Sequence, residues 1–221
     1  MSPTKERAQR LRVTFSKGEQ VKYISHLDLM RAWERALRRA QMPLLHSQGY
    51  NPRPKITFAA ALAVGISGQR EIMDVMLERP LAPLDFATAI GKQLPQGITL
   101  SEVEEVYPTL PALQTQVQGA EYLATVRSGT ETKDLEERLA ALLGNTHLPR
   151  QRRGKEYDLR PLIEELRLVE RDEDRCTIAM RLRAGEGGTG RPDEVLDELG
   201  LADQVQSITR TRLLFAPTGP G

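Results

Sequence analysis

The sequence predicts an α+β protein in which one order of strands and helices occurs twice. In several short segments apolar residues alternate with polar ones, which is typical of half-buried strands. Between those segments apolar residues recur every three or four positions, as they do on the buried face of a helix. The order strand, helix, strand, strand, helix, strand fits residues 9–106 and fits residues 121–215 again.

The first half contains six predicted elements. Leu11, Val13 and Phe15 alternate with polar residues and define the first strand, and Ser25 is the expected N-cap of the first helix. The later elements are strands at Ile56–Ile66 and Glu71–Leu77, a helix from Asp85 to Gly97, and a strand at Ile98–Val106. This order is that of a ferredoxin-like domain, whose single sheet carries both helices on one face.

The second half repeats the order with little visible sequence identity. Its predicted elements are a strand at Tyr122–Val126, a helix from Leu135 to Gly144, a hairpin of Leu159–Val169 and Cys176–Leu182, a helix at Asp193–Leu199 and a strand at Ser207–Phe215. We therefore predict two tandem ferredoxin-like (βαββαβ) domains, residues 9–106 and 121–215. Residues 107–120, rich in Pro and Gln, form the predicted linker, and residues 216–221 form a disordered tail.

Composition sets aside several protein classes. The 221 residues include a single cysteine, Cys176, which fits a reducing compartment and cannot form an internal disulfide. No signal peptide and no apolar run of about 18 residues occurs, so we expect a cytoplasmic protein without a membrane span. Walker A and G-x-G-x-x-G motifs and cysteine clusters are absent, and the three histidines are widely spaced. We expect neither a cofactor nor a metal.

Charge is distributed unevenly along the chain. Residues 1–55 contain 12 Lys or Arg and 4 Asp or Glu, a balance of +8, whereas the remainder contains 19 and 26, a balance of −7. A basic stretch in an otherwise acidic chain is typical either of a solvated helix face or of a surface that attracts polyanions.

Residues 23–58 hold the densest set of groups able to contact an anion or a base. Ser25 and His26 begin the first helix, whose unpaired amides and positive dipole end favour anions. The polar face of that helix carries arginines suited to phosphate, and a Gly- and Pro-containing loop follows. The predicted RNA- or anion-binding residues of this part are Ser25, His26, Arg31, Arg35, Arg38, His46, Gln48, Tyr50, Asn51, Arg53 and Lys55. Tyr50 would stack on an unpaired base, and Gln48 and Asn51 would contact its edge.

The duplication predicts a counterpart in the second half. The loop after the second half's first helix is also basic and contains glycine. Its predicted binding residues are Arg150, Arg152, Arg153 and Lys155. Two equivalent loops would then face one groove for a nucleic-acid strand.

A catalytic alternative rests on the two histidines that bracket the first helix. If the loop folds back over the helix N-terminus, His26 and His46 would converge and move protons to and from a ribose hydroxyl. The other interpretation is that both histidines are structural. Asp74 would orient an arginine or, like Glu71, be an ordinary strand residue.

The motifs in residues 23–74 resemble those of an uncharacterised bacterial family of radical-SAM-associated proteins, whose members are freestanding or fused behind cobalamin-binding radical-SAM enzymes. The likeness covers residues 10 to about 215 and is carried by the segments 23–31, 38–40, 47–56 and 71–74, together with Phe58 and Gly65. Gln48-Gly49-Tyr50 departs from a Glu-Gly-Phe type of triplet that is also common there. The resemblance implies a role in RNA metabolism, since genes of this family are associated with ribonuclease and ribosomal-protein genes. It also implies that the iron–sulfur cluster of the radical-SAM enzyme lies on another polypeptide.

Three hypotheses follow. The first is a non-catalytic protein that binds RNA, ribosomal or transfer RNA in particular, and presents it to a radical-SAM enzyme or a ribonuclease. The second is a metal-independent endoribonuclease, by analogy with the CRISPR repeat-processing enzymes that pair two ferredoxin-like domains. The third is a protein-docking module whose basic helix meets an acidic face of a radical-SAM enzyme.

Overall fold

A computed structural model of the chain describes residues 8–127, 132–152, 154–172, 174–185 and 187–216. The chain divides into two compact units, Met1–Gln116 and Val117–Gly221. The described residues form ten strands and four α-helices, which confirms the predicted α+β class.

The first unit follows the predicted element order. Its elements are β1 (Gln9–Lys17), α1 (His26–Arg39), β2 (Ile56–Phe58), β3 (Ile66–Leu77), α2 (Pro83–Gly91) and β4 (Ile98–Val106). All neighbouring strands are antiparallel, in the order β4-β1-β3-β2. The predicted strand Ile56–Ile66 is wrong beyond Phe58, because the chain leaves the sheet after Ala59. It returns through Gly65, whose φ of 86° favours glycine and whose N–H donates to Lys22 at 2.9 Å.

Alternation along β1 and helical periodicity along α1 produce one core. Leu11, Val13 and Phe15 are fully buried under α1. The ring of Phe15 meets Trp33 edge-on, with centroids 5.1 Å apart. Met30 of α1 is only partly buried, at the margin of this core.

The helix-free face of the first sheet is covered by the chain that follows β4. Arg10, on that face, donates to the carbonyls of Leu110 at 2.7 Å and Pro111 at 3.1 Å. Leu113 begins a 3-10 turn and is fully buried. Residues 107–116 of the predicted linker therefore carry ordered structure against the first sheet.

The second unit repeats the element order with one addition. Its elements are β5 (Val117–Arg127), α3 (Thr132–Gly144), β6 (Pro149–Arg152), β7 (Lys155–Asp158), β8 (Ile163–Arg171), β9 (Arg175–Arg183), α4 (Pro192–Glu198) and β10 (Val205–Phe215). The main sheet is antiparallel in the order β10-β5-β9-β8, and β6 and β7 form a separate hairpin between α3 and β8. β5 begins within the predicted linker, and residues 217–221 of the predicted tail lie outside the described residues.

Candidate nucleic-acid interface

The exposed face of α1 carries three arginines. Arg31, Arg35 and Arg38 are all exposed, while Leu29, Trp33 and other residues of the opposite face are buried. Spacings of four and three residues keep the three guanidinium groups on one side of the helix, over a rise of about 10 Å. The described residues include no carboxylate paired with Arg35 or Arg38, so both groups are available to an anion.

The N-terminus of α1 carries an anion of its own. The hydroxyl of Ser25 accepts from the backbone N–H of Asp28 at 3.1 Å and donates to the carboxylate of Asp28 at 2.7 Å. This hydrogen bond from Ser25, together with the charge of Arg31 at 3.4 Å, lowers the pKa of Asp28. A phosphate at the helix end would therefore compete with Asp28 for the positive dipole. The N-terminus is thus a weaker anion site than the sequence suggests.

A buried lysine supports the approach to that helix. Lys17 is 1% exposed, and its ammonium donates to the carbonyls of Lys22 at 2.9 Å, Ile24 at 3.2 Å and Ile66 at 3.4 Å. Because a buried ammonium needs such acceptors, Lys17 fixes the segment that leads into Ser25 against the start of β3.

The loop after α1 is an ordered hairpin anchored on β3. The chain turns at Gln41, with φ 53°, and then runs beside the end of β3, where the N–H of Leu45 donates to Met76 at 2.8 Å. The N–H of Lys55 donates to Leu45 at 2.8 Å, and that of Ser47 donates to Arg53 at 2.8 Å. Residues 45–55 form what we call the basic hairpin, with its base next to the C-terminal end of α1.

The tip of the basic hairpin projects its side chains into solvent. Gln48, Gly49, Tyr50 and Asn51 are exposed, and Tyr50 is 99% exposed. Gly49 has φ 134°, a conformation that an L-residue rarely adopts. A large aromatic ring in full contact with water has no role in packing, which makes Tyr50 the group in this unit best placed to meet a ligand.

The two candidate histidines lie in different places. The ring of His26 meets Phe58 edge-on, with centroids 5.2 Å apart, and Phe58 pairs with Met73 of β3. His46 follows Leu45, whose N–H donates to the carbonyl of Met76. Met76 lies three residues beyond Met73 on β3, which is about 10 Å along the strand. The basic hairpin is therefore anchored further along β3 than the residue that contacts His26. The catalytic alternative, which requires the two histidines to converge, stays a prediction.

The counterpart segment in the second unit is a hairpin and not an open loop. Arg150 on β6 forms an ion pair with Glu198 of α4, and its guanidinium lies 3.8 Å from Asp197. Tyr157 on β7 donates to Glu194, and burial together with this bond raises the pKa of Tyr157 to about 12. A phosphate would have to displace carboxylates to reach Arg150. Arg152 is half-buried, Lys155 is exposed, and Arg153 lies outside the described residues.

Asp74 does orient arginines, but not those of the candidate interface. Its carboxylate accepts from Arg10 at 2.8 and 2.5 Å and from Arg12 at 3.0 and 3.2 Å. Asp74 and Glu71 are each 3% exposed, so neither opposes the basic hairpin from the surface. Sequence reasoning missed Arg10 and Arg12, although their alternation with Leu11 and Val13 does place them on the opposite face of β1.

Within the described residues, no group of three or more His, Cys, Asp or Glu side chains could hold a metal ion. None of the described helices has the length and hydrophobicity needed to cross a membrane.

Comparison with known proteins places this chain in a bacterial family. Residues 10–192 match the family described as "Uncharacterized protein conserved in bacteria (DUF2344)". The chain belongs to that family. This confirms the resemblance to an uncharacterised bacterial family at that level. No curated protein matches the sequence.

Two solved structures that share the fold illustrate the likeness. One is the structure of a Cbf5-Nop10-Gar1 complex, with a TM-score of 0.51 and 10% identity over 93% of this chain and 48% of the matched chain. The other is the structure of an H/ACA RNP bound to a substrate RNA containing 2′-deoxyuridine, with a TM-score of 0.51 and 10% identity over 92% and 47% of the two chains. The present chain therefore spans about half the length of these proteins, and identity this low establishes likeness of fold only.

Proposed function

We propose that this protein binds RNA without acting on it chemically and presents an unpaired segment of that RNA to a modifying or processing enzyme. The observation that carries the proposal is the exposed arginine face of α1 leading to the basic hairpin, whose tip exposes Tyr50 almost completely. Ribosomal and transfer RNA are the candidate substrates. A radical-SAM enzyme or a ribonuclease is the candidate partner, since a single cysteine cannot hold an iron–sulfur cluster.

Phosphate binding falls to the cations that no carboxylate holds. Arg35, Arg38, Arg53 and Lys55 are exposed, and within the described residues their side chains have no ion-pair partner. Arginine offers paired donors that match phosphate oxygens, whereas Lys55 adds a mobile point charge. Arg31 contributes less, because Asp28 lies 3.4 Å from it.

Base recognition falls to the tip of the basic hairpin. Aromatic rings stack on bases only where those bases are unpaired, so Tyr50 favours single-stranded loops or ends over duplex RNA. Gln48 and Asn51 flank Tyr50 and carry donors and acceptors for a base edge. The backbone bonds between Ser47 and Arg53 hold the tip before binding, which reduces the ordering entropy lost on association.

The fold is compatible with this role. We interpret both units as ferredoxin-like domains, because each has the element order and the antiparallel strand order of that fold. One structurally similar chain comes from an H/ACA RNP bound to a substrate RNA, which makes RNA the first ligand to test. The argument for binding rests on the side chains, since the likeness is one of fold.

The test is filter binding to a single-stranded RNA over a salt series. The double variant Arg35→Ala, Arg53→Ala is compared with Arg70→Ala, Arg175→Ala, which removes two exposed arginines that are already paired with carboxylates. Each lost phosphate contact on a single strand lowers the salt slope by about 0.7, so the first variant should lose about 1.4 in slope and about 25-fold in affinity at 0.1 M salt. The control should behave like wild type. A flat salt response in wild type, or equal losses in both variants, contradicts the proposal.

The endoribonuclease alternative is now less favoured, because His26 packs on Phe58 and His46 lies about 10 Å further along the sheet. Acid–base catalysis needs both groups within hydrogen-bond reach of one substrate. Labelled RNA incubated with EDTA decides the matter. Cleavage that the double variant His26→Ala, His46→Ala abolishes would restore the alternative.

A protein-docking role has its own supporting observation. Tyr23 is 73% exposed, Leu27 is 50% exposed and Val64 is 58% exposed. The backbone N–H of Gly65 donates to the carbonyl of Lys22. This hydrogen bond brings Val64, which precedes Gly65, close to Tyr23, which follows Lys22. Exposed apolar residues near a basic helix would suit a protein partner such as a radical-SAM enzyme. Co-purification that survives ribonuclease treatment and is lost in Tyr23→Ser, Val64→Ser would favour docking over RNA binding.

A further inference from the structure

The two sheets differ on their helix-free faces. Cross-strand pairing defines one row of four residues across each sheet, which we call the central row. In the first sheet the central row is Glu104, Arg12, Asp74 and Thr57, on β4, β1, β3 and β2. In the second sheet it is Arg212, Glu121, Arg181 and Glu165, on the corresponding strands β10, β5, β9 and β8. Acid and base are therefore exchanged at the first three positions.

In the first unit the face that carries the central row is covered by an extended piece of the chain. Two backbone carbonyls of residues 107–116 accept hydrogen bonds from Arg10, and Leu113 of the same segment is completely buried. As a result the side chain of Asp74 is 3% exposed and that of Arg12 is 16% exposed. This unit demonstrates how such a face takes up an extended segment: arginine donors meet peptide carbonyls, and one leucine supplies the apolar contact.

In the second unit the central row lies open. The side chain of Arg212 is 57% exposed, and those of Arg181 and Glu165 are each 43% exposed. A cavity of about 270 Å³ occupies this face, and every residue that lines it belongs to β5, β8, β9 or β10. No described segment outside those four strands lines it.

The charges of this face leave donors available. Glu121 accepts from Arg212 at 2.6 and 2.9 Å and from Arg181 at 3.2 and 3.3 Å, and Arg167 lies 3.1 Å from Glu165. Three guanidinium groups thus face two carboxylates, a balance of +1. Each guanidinium has five N–H donors. Arg212 meets Glu121, and Arg181 meets Glu121 and, at 3.5 Å, Glu165, all through Nε and Nη2, so both arginines keep their Nη1 donors.

The same face lacks what RNA binding on an open sheet requires. Sheets that bind single-stranded RNA do so through exposed aromatic rings on which bases stack. Tyr122, the only aromatic residue along the cavity, is 6% exposed, and strand alternation turns it away from Glu121 and Leu123. Leu123 and Ala179, paired across β5 and β9, provide instead a small apolar floor beside the central row.

From these observations we propose that the helix-free face of the second sheet binds an extended peptide segment of a partner protein. Peptide carbonyls and one acidic side chain of that segment take up the spare donors of Arg212 and Arg181. An aliphatic side chain lies over Leu123 and Ala179, in the way that Leu113 is buried in the first unit. The site shares no residue with the basic hairpin, so the protein would bind a peptide partner through one unit and, under the proposed function, RNA through the other.

The test uses phage-displayed random decapeptides selected on the full chain and counter-selected on the variant Ala179→Gln. This substitution fills the apolar floor without adding charge. Selected peptides should share an acidic and an aliphatic residue, and synthetic copies should bind the Ala179→Gln and Arg212→Gln variants at least tenfold more weakly in fluorescence anisotropy. Tyr50→Ala should bind them like wild type.

Two results of the peptide selection overturn the proposal. One is a selection that enriches no peptide over the counter-selection. The other is equal binding of the enriched peptides to wild type and to both variants. Reactivity of the buried Cys176 checks that each variant keeps its fold, and Arg212→Gln, at an exposed position, serves if Ala179→Gln unfolds. Loss of RNA retention in Ala179→Gln, with Tyr50→Ala unaffected, would assign the face to RNA and also refute the proposal.

Discussion

Asp74→Asn tests the cluster beneath the cover of the first sheet. The carboxylate of Asp74 receives four hydrogen bonds from Arg10 and Arg12, whose side chains are 7% and 16% exposed. Removing the one negative charge leaves two guanidinium groups uncompensated in a nearly dry environment. Breaking a buried ion pair in this way costs about 3–5 kcal/mol of unfolding free energy. With an m-value of about 2 kcal/mol per molar urea, the midpoint should fall by roughly 2 M.

The assay exploits two single residues. Trp33 is the only tryptophan and is fully buried in the first unit, so its fluorescence reports that unit. Cys176 is the only cysteine and is buried in β9, so its thiol reactivity reports the second unit. The control Asp85→Asn removes an exposed acid in the first turn of α2 and should cost less than about 1 kcal/mol. A Trp33 midpoint that moves no further in Asp74→Asn than in the control refutes the reasoning.

Three other outcomes are expected. Tyr50→Ala should weaken binding of single-stranded RNA by about 1–3 kcal/mol while Tyr50→Phe retains it, measured by filter binding, and neither should shift the melting temperature, because Tyr50 is 99% exposed. The hydrogen bond from Arg212 lowers the pKa of Glu121 from its ordinary 4.5, so Glu121 stabilises the fold above that pH, and this contribution is lost as the pH falls. In Glu121→Gln, the protection of the Cys176 thiol from reaction should therefore decrease less steeply as the pH is lowered. Lys17→Met leaves carbonyl oxygens without their donor and should speed amide hydrogen exchange in the segment before Ser25, whereas an unchanged exchange rate would show that Lys17 does not anchor it.

Local patterns were enough to predict the elements that build the core. Alternation identified β1, and the Ser25 cap with apolar residues every three or four positions identified α1, because burial on one face imposes a period of two on a strand and of 3.6 on a helix. The boundaries of β2 and β3 were predicted less well. The end of β2 is set by its hydrogen bonds to β3, the last of which runs from the N–H of Ala59 to Ile72, and not by the strand propensity of the residues that follow.

Features that depend on distant partners could not be predicted. Nothing local marks Leu45 as a partner of Met76, so the sequence left open whether the loop folds back over the N-terminus of α1. Similarly, Arg150 reads as a free cation until α4 brings Glu198 to it from 48 residues away. Sequence position alone does not identify the partner of Arg150, because many acidic residues lie at similar distances from it along the chain.

The excess of positive charge in residues 1–55 therefore needs the fold before it can be interpreted. Arg10 and Arg12 contribute to that excess, yet both are held by Asp74 and serve the packing of the first unit. Arg35 and Arg53 contribute equally to the count, yet the described residues place no carboxylate against either side chain. An arginine that is already paired with a buried carboxylate contributes little to phosphate binding, since the existing ion pair must first be broken. Within residues 1–55, the positive charge available to a polyanion is thus concentrated on α1 and the basic hairpin. This is why the salt slope of the Arg35, Arg53 variant is the measurement that tests the proposed RNA-binding surface.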